Sequence, residues 1–191
     1  MVRSVLRRPP WRLIAAFLGC CLCPAWGAAQ TATGPQLKAA YLYNFVKFTE
    51  WPGDALGPAD PIALCVVNDR QVTEILATLV QDRTIGGRRL TVRSVKADDA
   101  ALLTCRVVFA SGLDGARAAA LLGSLAGKPI LTVGDGAQFA QSGGIAGFFV
   151  ENGALRFAIN MEAAQRAGVR LSSQLLGLAK IVKDDPNAIH R

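Results

Sequence analysis

Short apolar runs of strand length alternate along this chain with longer segments whose apolar residues recur every three or four positions, and this alternation constrains the fold most. The run Ile62–Val67 is apolar at every position. Such a strand is suited to burial on both faces, as in the middle of a parallel sheet. Val107–Ala110 repeats the pattern, and residues 130–133 read as a further strand. Between these runs lie helical periods. Residues 36–50 set Leu37, Tyr41, Phe45 and Phe48 on one stripe, widened by Leu42 and Val46, and Pro52-Gly53 is expected to end that helix. Asn68 or Asp69 can cap a second helix carrying Val72, Ile75, Leu76, Leu79 and Val80. Gly86-Gly87 turns the chain into a strand in which Leu90, Val92 and Ser94 alternate with Thr91, Arg93 and Val95. A brief helix is expected over 98–103 and a longer Ala- and Leu-rich one over 116–125.

The last third changes style. Residues 145–151 and 154–160 read as strands around Asn152-Gly153, the strongest short hairpin signal. Asn160 can cap a short helix ending at Gly168. Ser172 or Ser173 can cap a final helix with Leu175, Leu176, Leu178, Ala179 and Val182 on its apolar side, stopped by Asp184-Asp185-Pro186. The expected architecture is an α/β fold: a three-layer α/β/α sandwich whose mixed sheet has about five or six strands, with a C-terminal hairpin at one edge.

Residues 1–29 read as a cleaved export signal. Arg3, Arg7, Arg8 and Arg12 precede an apolar stretch over 13–23, and Pro24 and the small residues up to Ala29 follow. About eleven apolar residues fall short of the roughly twenty that span a bilayer. Residues 30–191 are then one domain, placed in the periplasm. Removing the signal leaves 17 basic residues against 14 acidic ones, a net charge of +3. These cations are scattered among acids with no basic stripe interleaved with aromatics, which disfavours a nucleic-acid partner. Of the five cysteines, Cys65 and Cys105 remain. In an oxidising compartment an even pair is a disulfide candidate, and two buried free thiols are the alternative.

Residues able to do chemistry are scarce. His190 is the only histidine and stands one residue from the C-terminus, which removes the usual base of a Ser or Cys triad. No Gly-x-Ser-x-Gly elbow and no zinc-ligand spacing occurs. The expectation is therefore no enzyme, no metal and no cofactor. Gly134, Gly136, Gly143 and Gly144 match no phosphate-binding motif, but they suggest a flexible loop over 134–144 at the C-terminal end of a strand, where α/β folds often bind ligands. Phe139 within it can be an exposed recognition anchor or a core plug. Glu151 lies at the hairpin tip, where it could meet a partner's cation.

The segment Lys38-Ala-Ala-Tyr-Leu-Tyr-Asn-Phe-Val-Lys-Phe-Thr-Glu-Trp-Pro52 resembles the opening signature of the YfiR family. Further landmarks of that family follow in order: Leu64-Cys65-Val66-Val67, Cys105-Arg-Val-Val-Phe109, Gly143-Gly144-Ile145, Arg156-Phe-Ala-Ile-Asn160 and the stretch from Gly168 to Ala179. The resemblance implies a periplasmic protein, often a homodimer, that binds the periplasmic sensor domain of an inner-membrane diguanylate cyclase and holds it inactive, so that cyclic di-GMP and biofilm formation fall. It extends to an outer-membrane lipoprotein as a further partner. It also implies a disulfide between Cys65 and Cys105, whereas a second cysteine pair found in some members has no counterpart here. Partner contacts are expected at Phe139, Glu151, Phe157 and Gln174, on or near the hairpin, the adjoining loop and the last helix. Alternation along the strand could equally turn Phe157 into the core. The competing reading is a small-molecule-binding sensor module for another envelope signalling partner, with the loop over 134–144 holding the ligand.

Overall fold

The strand runs over 62–67 and 107–110 send apolar side chains to both sides of one sheet, and each side has its own helices. The structure is a computed structural model that describes residues 34–57, 59–185 and 188. The export signal expected over 1–29 and His190 lie outside the described residues. The elements in chain order are α1 (Gly34–Lys47), β1 (Thr49–Glu50), β2 (Ile62–Val67), α2 (Arg70–Val80), β3 (Thr84–Ile85) and β4 (Arg88–Val95). A 3₁₀ turn (Ala100–Thr104), β5 (Val107–Ala110), α3 (Gly115–Ser124), β6 (Leu131–Asp135) and α4 (Ala137–Gln141) follow. The chain ends with β7 (Ala146–Glu151), β8 (Ala154–Asn160), α5 (Met161–Arg166), β9 (Arg170–Leu171), α6 (Ser173–Leu176) and β10 (Lys180–Val182).

Eight strands form the main sheet in the order β10-β8-β7-β6-β5-β2-β4-β3, and β1 pairs with β9 in a small second one. The inner strands β4, β2, β5, β6 and β7 are parallel, in keeping with the alternation of strand and helix. Every residue of β2 is buried, as a central parallel strand requires. Ile62, Leu64 and Val66 face a core shared with Leu42, Phe45 and Val46 of α1 and Val72, Leu76 and Val80 of α2. Cys65 and Val67 face the opposite one, with Leu102 of the 3₁₀ turn and Ala118 and Leu121 of α3. That is the three-layer sandwich.

The local signals act as their chemistry dictates. Asp69 accepts from the Val72 amide at 2.9 Å and Asn160 from the Ala163 amide at 3.0 Å, capping α2 and α5. Asn152 and Gly153, with φ of 51° and 75°, make the two-residue turn of the β7–β8 hairpin, which pairs Glu151 with Ala154.

Three expectations are corrected. The sheet has eight strands, because the short edge strands β3 and β10 add to it. The final helix stops at Leu176 after one turn, and Lys180–Val182 runs instead as an edge strand parallel to β8. The open backbone edge of β8 supplies hydrogen bonds there, and that tertiary pairing overrides a weak local helical pattern. Likewise α1 ends at Lys47, ahead of Pro52-Gly53, because Thr49 and Glu50 pair with Leu171 and Arg170. No helix among the described residues is long and apolar enough to cross a membrane.

Candidate partner-binding surface

The hairpin is held to the first core by aromatic packing. Phe157 lies with its ring centroid 5.0 Å from Phe45 and 5.3 Å from Tyr41, edge to face in both cases. Phe148 stacks on Phe45 at 5.8 Å, and the Tyr41 hydroxyl donates to the Leu155 carbonyl at 3.3 Å. Phe157 is 2 % exposed, so strand alternation turns it inward and it presents no contact surface. The exposed residues of this arm include Val150, 71 % exposed, Glu151 and Arg156.

Residues 134–144 do not form an open loop. They hold α4, and Phe139 is 6 % exposed in the second core. A methyl group at Gly134 or Gly144 would overlap the Phe139 ring, and one at Gly147 would overlap the Gly136 carbonyl. The glycines therefore serve close packing of α4 on β6 and β7, and the space expected for a ligand is filled by the Phe139 ring. Of the two readings open for Phe139, the structure shows the core plug.

The segment after β10 is fastened by a polar network. Asn160, fully buried, donates through Nδ2 to the Ala140 carbonyl at 2.8 Å and to Asp184 Oδ1 at 2.6 Å. Arg166 grips the same carboxylate with two nitrogens at 2.7 and 3.2 Å. The guanidinium hydrogen bond holds the Asp184 carboxyl below its ordinary value, against the opposing effect of burial, with Asn160 adding to the lowering. The Asp185 amide donates to the Gln141 carbonyl at 2.8 Å. Asp184 and Asp185, placed at the expected end of the final helix, are thus tied into the fold.

This anchoring leaves Ile181 of β10, 53 % exposed, on the outer sheet edge and Leu178, 72 % exposed, in the turn that precedes it. Lys180 beside them lies over the Phe149 ring, 5.6 Å from its centroid. Gln174 is exposed on α6. Its neighbour Leu175 packs with Ala146 and Ile159, and Ala146 is five residues before Glu151, about 17 Å along an extended strand. The four expected contact residues therefore do not converge: Phe139 and Phe157 are in different cores, and Glu151 and Gln174 stand toward opposite ends of the hairpin. Leu178 was legible only as an apolar helix position. It is exposed in the turn between α6 and β10.

Elsewhere, Cys65 and Cys105 form a disulfide with Cα atoms 6.0 Å apart, tying β2 to the start of β5 deep in the second core. At the C-terminal ends of β5 and β6, Asp135 receives the Ser111 hydroxyl at 2.6 Å and the Lys38 ammonium at 2.7 Å, which fastens α1 to the sheet. A groove of about 620 Å³ lies between the 3₁₀ turn and α3, floored by Leu102, Leu121 and Leu125 and rimmed by Asp98, Asp99 and Arg117. Among the described residues no group of three or more His, Cys, Asp or Glu could hold a metal. A family model described as YfiR/HmsC-like matches residues 35–180, which takes in nearly all the described elements.

Proposed function

The chain belongs to the YfiR/HmsC-like family, and on that premise we propose that it is a periplasmic regulatory binding protein, not an enzyme, that represses an inner-membrane diguanylate cyclase. The family match carries the reading. Repression by contact requires that the protein prefer the inactive form of its partner, since only differential affinity shifts an equilibrium. Residues 1–29 act as the cleaved export signal and 30–191 as the regulatory domain, which works as a homodimer and has an outer-membrane lipoprotein as a second partner. Contacts run through exposed side chains of α6, the turn after it, β10 and the hairpin: Gln174, Leu178, Ile181, Val150 and Glu151. Exposed apolar groups of this kind favour an interface over solvent.

The test has two parts. Deleting the gene should raise cellular cyclic di-GMP and biofilm, and unchanged levels beside an expressed cyclase would sink the reading. Leu178→Ser with Ile181→Ser should leave stability within about 0.5 kcal/mol, as for exposed sites. The same pair should weaken repression.

A second reading, a small-molecule sensor, is favoured by one observation. The groove between the 3₁₀ turn and α3 has the volume and apolar floor of a ligand pocket. Thermal-shift screening against metabolites checks it, and no reproducible stabilisation would count against it.

A further inference from the structure

From Arg83 to Ala97 the chain carries five cations and no acid: Arg83, Arg88, Arg89, Arg93 and Lys96. The fold lays them along the sheet edge opposite β10. β3 pairs with β4 only at Arg88 and Arg89, so residues 90–95 of β4 have β2 on their inner side and no strand on the outer one among the described residues. The outward N–H and C=O groups of those residues are a template for another strand.

The cations on this edge are available. The ion pairs of the described residues use Lys38, Arg70, Arg117, Arg166 and Arg170, and none involves Arg89, Arg93 or Lys96, all of them exposed. Arg88 is occupied, donating to the Gly57 and Asp60 carbonyls, and Arg83 lies over the Tyr43 ring. Arg93 is in register with Cys65 and so points to the side of the second core, and Arg89, four residues earlier, points the same way. Their Cα atoms stand about 13 Å apart on an extended strand.

We infer that the outer edge of β4 is a strand-addition site for an extended acidic segment of a partner protein, whose carboxylates pair with Arg89 and Arg93 while its backbone continues the sheet. This deepens the proposed function and rests on it, since it assigns a docking edge and the chemistry of what docks. Charge selects the occupant. A second copy adding edge to edge through β4 would set arginine against arginine, which like-charge cross-strand pairs disfavour. An acidic strand gains both the backbone ladder and the charge pairs.

The probes are a labelled peptide, acetyl-Thr-Glu-Val-Glu-Val-Glu-Thr-amide, and its counterpart with each Glu replaced by Lys, each added to the purified chain. The acidic peptide should bind saturably, more weakly as salt rises, and should slow amide hydrogen exchange at residues 90–95. Arg89→Glu with Arg93→Glu should weaken it roughly tenfold, from two cross-strand charge pairs turned repulsive. The milder Arg89→Gln with Arg93→Gln serves as a second variant whose fold is checked by circular dichroism. Absence of binding, equal binding of both peptides, protection outside 90–95, or indifference to the charge reversal would each overturn the site. In cells, a folded Arg89→Glu/Arg93→Glu protein that still represses would also overturn it while leaving the regulatory reading intact. Unchanged cyclic di-GMP on deleting the gene would remove that reading itself.

Discussion

Asn160 and Asp184 meet at 2.6 Å, the buried side-chain amide donating to a carboxylate that Arg166 holds from the solvent side. One asparagine thereby caps α5 through Oδ1, fixes the Ala140 carbonyl at the end of α4 and receives the segment after β10.

Because two of these bonds end on buried backbone groups and the third on a partly exposed carboxylate, Asn160→Ala should be costly. The lost cap and the unsatisfied carbonyl together predict a loss of roughly 2 to 4 kcal/mol. Urea unfolding followed by circular dichroism measures it, and a loss below 1 kcal/mol would mean the network is dispensable.

Asp184 sets a pH dependence of known sign. Its folded carboxyl is held below the ordinary 3.8 by Arg166 first, so the stability it contributes is present above that value and disappears as pH falls through the lower folded one. The side chain is 37 % exposed, and solvent screening keeps the contribution to at most about 1 kcal/mol. Unfolding of wild type and Asp184→Asn should therefore differ most above pH 4 and converge in more acidic solution. Curves that stay parallel down to pH 2 would contradict the assignment.

The disulfide closes a loop of 40 residues between adjacent parallel strands. In the chain-entropy treatment its removal costs about 4 kcal/mol. Cys65→Ala with Cys105→Ala should lower the urea midpoint accordingly, and reductant should lower the wild type in the same way while leaving the double variant unmoved.

Packing of Phe139 against glycine predicts a non-additive pair. Gly134→Ala would drive a methyl into the ring and cost about 1 to 3 kcal/mol, as overpacking does. With Phe139→Leu already present the same methyl should cost less, and a double-mutant cycle on thermal unfolding reads the coupling. Strict additivity would show that the ring does not fill that space.

Much of the fold was legible because local chemistry and tertiary need agree there. The uninterrupted apolar run Ile62–Val67 could be little but a buried parallel strand, Asn152-Gly153 little but a hairpin turn, and Asp69 and Asn160 cap helices by the reach of their own side chains. The disulfide partners were visible as an even pair beside two strand-like runs. Less of the candidate surface could be read. Exposure depends on which face of an element meets a neighbour, and a lone aromatic carries no sign of that.

The sequence by itself determined the element types, the turns and caps, and the family of the chain, since each rests on contacts within a few residues or on an ordered set of motifs. Only the tertiary structure decided that Phe139 and Phe157 are inside, that residues 180–182 pair with β8 in place of a helix, and that residues 90–95 of β4 have no outer strand among the described residues, with Arg89 and Arg93 exposed. Those outcomes depend on pairing and packing between segments far apart in the chain, and the hydrogen bonds and buried area gained there outweigh the small intrinsic preferences of the residues concerned.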